Sequence, residues 1–307
     1  MVNFNAIDEQ LLRKRAALKW GPWGEDVISL SVADIDFQIP REIKDGVMRA
    51  LEEDRTLYSS YGGDPDVLEV VCEKLNCVNG TPATSDDVHM VPGTMFAIFL
   101  ACYYTLVAGN EALICPAPVY PPFMENIHNA HGIPVYSPLD FHHGLKVDLD
   151  DLERRITPRT RLLMVCNPHN PSGRVLTREE LEAICRIAQQ HDLFIFSDEL
   201  YEDMVFEGEH VSIASLDTDL FERTLTAFGM TSHEMKHYLE QKAKVIVENG
   251  AEFGPHGEGH VRINFATAYL VLKEAMDRIE KALIALKRGA SHGTGQGRHR
   301  TSHHPSW

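Results

Sequence analysis

Two short runs of apolar residues, Leu162–Cys166 and Leu193–Phe196, lack any helical period and are bounded by turn-forming or polar residues. This is the pattern of fully buried strands. Between them, Thr177 with Glu180 three positions later forms a capping box that opens a helix reaching Gln190. The first run ends in Asn167-Pro168-His169-Asn170-Pro171-Ser172-Gly173, the second in Ser197-Asp198-Glu199-Leu200-Tyr201. A strand–helix–strand unit results, with polar residues clustered where both strands end. Open α/β sheets place their ligands at those carboxyl ends.

The same alternation runs along the chain. Strands are predicted at Val27–Val32, Val88–Val91, Ala112–Cys115, Gly132–Pro138 and Thr224–Phe228, and helices at Pro40–Asp54, Met95–Ala108, Leu149–Arg155, Ser232–Val247 and Lys273–Leu286. The opening segment to Trp23 reads as charged and helical in part. Strands alternating with helices predict an α/β fold of three layers around a mostly parallel sheet. Pro92-Gly93-Thr94 turns the Val88 strand into the Met95 helix. There the free N–H groups and positive end of a helix face one point, the makings of an anion cup.

The 307 residues suffice for one large or two modest domains. A formal charge of −16 with no offsetting basic stripe argues against a nucleic-acid partner. Cys72, Cys77, Cys102, Cys115, Cys166 and Cys185 form no C-x-x-C pair, and the polar N-terminus has no secretory pattern, so reduced thiols in the cytoplasm are expected. The longest apolar stretch, Met95–Ala108, is too short to cross a bilayer. Gly289–Trp307 is low in complexity and reads as a disordered tail.

NPHNPSG followed by SDELY resembles the large domain of the class I/II aminotransferases, pyridoxal-phosphate enzymes of fold type I. The resemblance covers nearly all of Asn3–Leu286. It implies a cofactor site in which Asp198 faces the pyridine nitrogen and Asn170 and Tyr201 hold the ring's 3-oxygen. Tyr120, in the loop Pro116–Phe123, would stack on the ring, while Gly93, Thr94 and Met95 hold the phosphate. Tyr58, four residues before Gly62, would reach the phosphate in the other subunit of a homodimer; a packed surface aromatic is the alternative. Arg262, in His260-Val261-Arg262-Ile263-Asn264-Phe265, would clamp the substrate carboxylate. Amino acids and 2-oxo acids are the implied substrates, and transamination the implied reaction. Asp36-Phe37 followed by Pro40 resembles the cystathionine β-lyase-like branch, which keeps carbon–sulfur β-elimination as the alternative. The implied division is an N-terminal segment 1–45 belonging to the small domain, a large domain 46–229, and a small-domain remnant 230–288.

One part of the pattern is missing. In the family, Ser-Lys follows the strand at Thr224, and that lysine is the Schiff-base residue. This chain continues Gly229-Met230-Thr231-Ser232 and already resembles the C-terminal domain. No catalytic lysine is identified, since Lys236 matches a surface position. The missing block would also carry an antiparallel strand lying between those at Val88 and Thr224. Its loss implies an impaired enzyme, unpaired strand edges and lower stability. At the same junction His233-Glu234-Met235-Lys236-His237 is a literal H-E-x-x-H, which would make a zinc hydrolase if a third ligand joined it. The Gly254–Gly259 run is no dinucleotide fingerprint, because it precedes a strand rather than a helix.

Overall fold

A computed structural model describes residues 8–15, 18–34, 36, 41–54, 58, 60, 62–227, 245–246, 248–249, 261–262 and 269–290. The elements in order are α1 (Glu9–Arg15), β1 (Ile28–Ser29), α2 (Arg41–Glu52), α3 (Pro65–Cys77), α4 (Thr94–Thr105), β2 (Glu111–Ala117), α5 (Pro122–Asn129), β3 (Ile133–Asp140), β4 (Lys146–Val147), α6 (Leu149–Arg154), β5 (Thr160–Cys166), α7 (Arg178–Gln190), β6 (Phe194–Asp198), α8 (Thr218–Arg223), β7 (Thr224–Ala227), β8 (Val245–Ile246), β9 (Glu248–Asn249), β10 (Val261–Arg262) and a closing helix Tyr269–Ala290.

Six strands form one sheet in the order β4-β3-β2-β5-β6-β7, parallel except for β4. The period of two along each strand divides the core. Ala112, Ile114, Leu162, Met164 and Phe196 face α4 and α5, where they meet Ala97, Ile98, Ala101 and Phe123. Leu113, Cys115, Leu163, Val165 and Ile195 face the other way, onto Leu152 of α6, Leu181 and Ile184 of α7 and Leu220 of α8. Each such Leu or Ile, fully withdrawn from water, contributes roughly 1.5–3 kcal/mol of transfer free energy. The expected three-layer α/β architecture is thus present, and α7 carries the expected capping box: Thr177 accepts from the Glu180 N–H at 3.3 Å and Glu180 accepts from the Thr177 N–H at 3.0 Å.

Several boundaries differ from expectation. Val88–Val91 is not a ladder strand: among the described residues it pairs with no strand, and β7 pairs only with β6. An isolated extended segment has no partner for its N–H row, so a ladder cannot form there. Val27–Val32 shortens to the two residues of β1, which pair with β8. Val245 and Ile246 therefore lie in a strand, whereas the sequence predicts the end of a helix; residues 232–244 and 247 lie outside the described set. Helix α4 stops at Thr105 because Leu106 turns extended and buries its side chain. The closing helix runs to Ala290, so two residues assigned to the tail are helical, and 291–307 lie outside the description. Helices α3, α5 and α8 were not anticipated. No described helix is long and apolar enough to cross a membrane.

Candidate active site

The site begins where β5 and β6 end side by side. Cys166 is paired in register with Asp198, which is in turn paired with Ala227 of β7. Past Cys166 the chain folds into a tight turn. The His169 N–H donates to the Arg174 carbonyl, the Gly173 N–H donates to the His169 carbonyl, both at 2.7 Å, and Gly173 takes a φ of +71°. The Asn167 side chain accepts from the Leu176 N–H at 2.8 Å, and its own N–H donates to the Asp198 carbonyl at 2.9 Å. The turn is therefore fastened to both strands.

Asn170 is 4% exposed, and neither its amide oxygen nor its amide nitrogen has a hydrogen-bond partner. Leaving a buried polar atom unpaired costs about 1–3 kcal/mol. A side chain held with both atoms in that state is placed for something other than stability. Its backbone N–H is satisfied by the Cys166 sulfur at 3.4 Å. That thiol's pKa lies well above its ordinary value, because of burial first and the neighbouring Asp198 second, so it is an inert packing and hydrogen-bonding group.

Asp198 is 2% exposed, and its Oδ1 accepts from the Leu200 N–H at 3.3 Å. Glu199 beside it turns away into a closed polar network. Its carboxylate accepts from Ser197 Oγ at 2.7 Å, Ser212 Oγ at 3.2 Å and the Ile213 N–H at 3.2 Å, and lies 3.1 Å from His210 Nε2. Glu199, Glu202 and His210 come close enough together to suggest a metal site. Those oxygens are already engaged, however, and Glu202 is neutralised by Lys74 at 2.6 Å.

Tyr120, at the exit of β2, is buried in the cluster that contains Ala97 of α4, Cys166, Phe196 and Ala227, and Tyr201 and Val91 pack against it. The start of α4 adds an open cup. Gly93 adopts φ +100°, and a Cβ placed there would meet nothing within 4 Å. Thr94 and Met95 follow as the first residues of the helix, with Met95 half-exposed. Tyr120 and Tyr201 thus share one cluster with Ala97 of α4 and with Cys166, the register partner of Asp198 and the hydrogen-bond partner of the Asn170 N–H, while Gly93–Met95 lead into α4. Tyr58 is not gathered there and is fully exposed. Arg262 is placed by its backbone alone, in the antiparallel pair β9–β10. His233, Glu234, Lys236 and His237 lie outside the described residues.

The architecture is that of fold type I pyridoxal-phosphate transferases. An aromatic aminotransferase from Pyrococcus horikoshii superimposes with a TM-score of 0.79 at 27% identity, covering 86% of this chain and 97% of that one. Cystalysin from Treponema denticola, crystallised with pyridoxal 5′-phosphate, gives 0.82 at 22% identity, a likeness of fold alone. Residues 25–232 match the family profile "Aminotransferase class I and II", and the chain belongs to that family.

Aromatic-amino-acid aminotransferase 2 of Thermococcus litoralis is 30% identical over 360 aligned positions, taking in 84% of this chain and 92% of the relative. Since 84% of 307 residues is about 258, about 100 of those 360 positions have no counterpart here. The aspartate/prephenate aminotransferase of Cereibacter sphaeroides is 34% identical over 210 residues, 68% of this chain but 52% of its own length. The unmatched positions in the Thermococcus alignment amount to a block of the size expected to be missing from the sequence.

Proposed function

We propose that this chain holds pyridoxal 5′-phosphate and acts on amino acids and 2-oxo acids, with transamination as its reaction. The unpaired Asn170 amide carries the reading: a buried donor, one residue run from the strand pair that ends in Asp198, awaits an oxygen. In this reading the Asn170 amide donates to the ring's 3-oxygen, with Tyr201 beside it. The Asp198 carboxylate holds the proton on the ring nitrogen. The buried Tyr120 ring covers one face and excludes water. The N–H groups of Thr94 and Met95, just past Gly93, take the phosphate, and Arg262 takes the substrate carboxylate. The cofactor, when bound, supplies the electron sink that makes exchange of an amino group feasible.

The relatives at 30% identity or above are named aminotransferases, which favours transamination over β-elimination. With Gly229-Met230-Thr231-Ser232 where the family has its lysine, turnover is expected to be very slow although the cofactor binds. Equilibrium dialysis against pyridoxal phosphate tests binding, and borohydride fixation with peptide mapping tests for a lysine adduct. Binding without an adduct is expected; no binding to the wild-type chain overturns the reading.

We further infer a homodimer, with residues 46–229 as the large domain, 1–45 and 230–288 as the small one, and a cytoplasmic setting. Helix α4 supports the dimer. Met95, Phe96, Tyr103, Tyr104 and Val107 are exposed along or just past it, and Phe96, Phe99 and Tyr103 form a row with ring centroids 5.9 and 5.5 Å apart. An apolar face of this kind marks a protein contact, and the exposed Tyr58 is free to reach across it. Light scattering of the wild type and of Tyr103→Glu tests this, with a monomeric variant expected. All six cysteines are unpaired, as a reducing compartment requires.

A further inference from the structure

Tyr201 stands in a short turn with two unlike neighbours. On one side its ring packs against the buried cluster that holds Tyr120, Cys166 and Phe196. On the other the turn is gripped through charged side chains. The Glu202 N–H donates to the Glu199 carbonyl at 2.9 Å and the Met204 N–H to the Tyr201 carbonyl at 2.8 Å, so residues 199–204 form two overlapping tight turns. These bonds fix the shape of the segment but not where it sits.

Glu202 supplies the anchor. Its side chain is 9% exposed, and both carboxylate oxygens are taken at the end of α3. Oε1 accepts from Lys74 Nζ at 2.6 Å, and Oε2 accepts from Asn79 Nδ2 at 2.5 Å. His210 Nε2 lies 4.0 Å from the same Oε2 and 3.1 Å from Glu199 Oε2, which joins this anchor to the network behind Asp198. Lys74 also reaches Asp203, at 2.9 Å. Stability alone does not explain the arrangement, because the Lys74 side chain is 38% exposed and an ion pair that wet contributes little. Geometry does: two oxygens held by separate donors leave the Glu202 side chain one orientation, and the residue before it is Tyr201.

We propose that Glu202 is a positioning residue: gripped by Lys74 and Asn79, it sets where the Tyr201 ring and hydroxyl stand in the site. The proposal rests on the reading of this site as a pyridoxal-phosphate site and goes further, since it makes the end of α3 part of what orients the tyrosine.

Calorimetric titration of pyridoxal phosphate into wild type, Glu202→Ala, Tyr201→Phe and the double variant tests it. Each single variant is expected to bind roughly fivefold more weakly. The double variant is expected within about twofold of Tyr201→Phe, since effects that pass through one group do not add. Charge alone predicts the opposite sign for Glu202→Ala, because deleting a carboxylate favours an anionic phosphate. Wild-type affinity in Glu202→Ala, or losses that multiply in the double variant, overturns the proposal while leaving the site reading intact. A wild type that binds nothing overturns the site reading itself.

Carbon NMR of ring-labelled tyrosine gives a readout without cofactor, with Tyr201 assigned by its loss in Tyr201→Phe. The Tyr201 signal is expected to shift in Glu202→Ala while that of Tyr136 in β3 stays in place. An unmoved Tyr201 signal sinks the proposal. Lys74→Met, at a part-exposed position, replaces Glu202→Ala if that variant fails to fold: the same shift is expected, and its absence counts equally against the anchor.

Discussion

Asn167 donates its backbone N–H to the Asp198 carbonyl at 2.9 Å, which locks the turn after β5 to the last residue of β6. Through this bond the Asn170 amide and the Asp198 carboxylate are carried by one rigid unit, although 28 positions of chain separate them. Precision of this kind is what a site needs when its groups must meet opposite ends of one flat ligand.

The first prediction concerns that unit. Asp198→Ala removes the carboxylate while the Asn167–Asp198 backbone bond can persist. Loss of a charge-assisted hydrogen bond costs about 1.5–3 kcal/mol, so affinity for pyridoxal phosphate is expected to fall by roughly ten- to a hundredfold. Asn170→Ala is expected to weaken binding as well, yet to raise the melting temperature of the free protein, since it deletes two unsatisfied buried atoms. A variant that lost both stability and affinity would place Asn170 in the scaffold and not in the site. Ligand titration and thermal melts of the same two samples decide between these outcomes.

Glu199→Gln tests the network behind the site. Oε1 of the carboxylate accepts all three hydrogen bonds and Oε2 faces His210, so a glutamine can keep its oxygen at the first position but turns an NH2 on the imidazole and loses the charge. Losing that charged contact is expected to cost about 1.5–3 kcal/mol. Urea denaturation measures it, and a change below about 1 kcal/mol would show that the network contributes little.

Much of this was legible in advance because it depends on local pattern. The β5–α7–β6 unit announced itself by two apolar runs and the Thr177–Glu180 capping box, and both appear with their boundaries moved by a residue or two. Asp198, Asn170 and Tyr120 could be named because NPHNPSG, SDELY and the loop Pro116–Phe123 resemble the family's motifs; the strand-end rule alone locates a ligand but picks out no residue. Val88–Val91 was misread for a physical reason: its apolar residues suit a strand, but a strand also needs a neighbour, and pairing is a property of the whole sheet. Helix α5 was hidden by its proline-rich entry, where Pro122 serves as a helix start although it reads as a turn.

A pH-dependent effect is expected at the sheet's opposite end. Glu111, the first residue of β2, is buried, which alone would raise its pKa. Hydrogen bonds from Thr157 at 2.5 Å and Thr160 at 3.1 Å, with Arg159 alongside, outweigh that and hold it below the ordinary value. A carboxylate whose pKa is lower in the folded state stabilises the fold fully above its unfolded pKa. That contribution is lost as pH falls through the folded value. Glu111→Gln is therefore expected to cost about 2 kcal/mol at pH 7 and progressively less below about pH 4. A difference that stayed constant into acid would refute the ionic origin.

The last prediction follows from the missing strand. Among the described residues, β7 is bonded on one side only, by the registers Ile195–Thr224 through Asp198–Ala227, and Val88–Val91 joins no ladder. The segment is held at two points: the Met90 N–H donates to the Gly62 carbonyl at 2.8 Å, and the Gly93 N–H to the Val91 carbonyl at 2.7 Å. Amides in ladders bonded on both sides open only with large parts of the fold, whereas those bonded at isolated points open locally. Hydrogen exchange should therefore show β2, β5 and β6 protected close to the global limit, Met90 moderately so, and Val88, His89 and Val91 exchanging early. A one-sided edge is also a template for another chain, so Thr226→Lys, which places a charge on β7, is expected to reduce light scattering at high concentration. If Val88–Val91 proved as slow to exchange as β5, a strand must pair with it, and the domain would be closed where the missing block leaves it open.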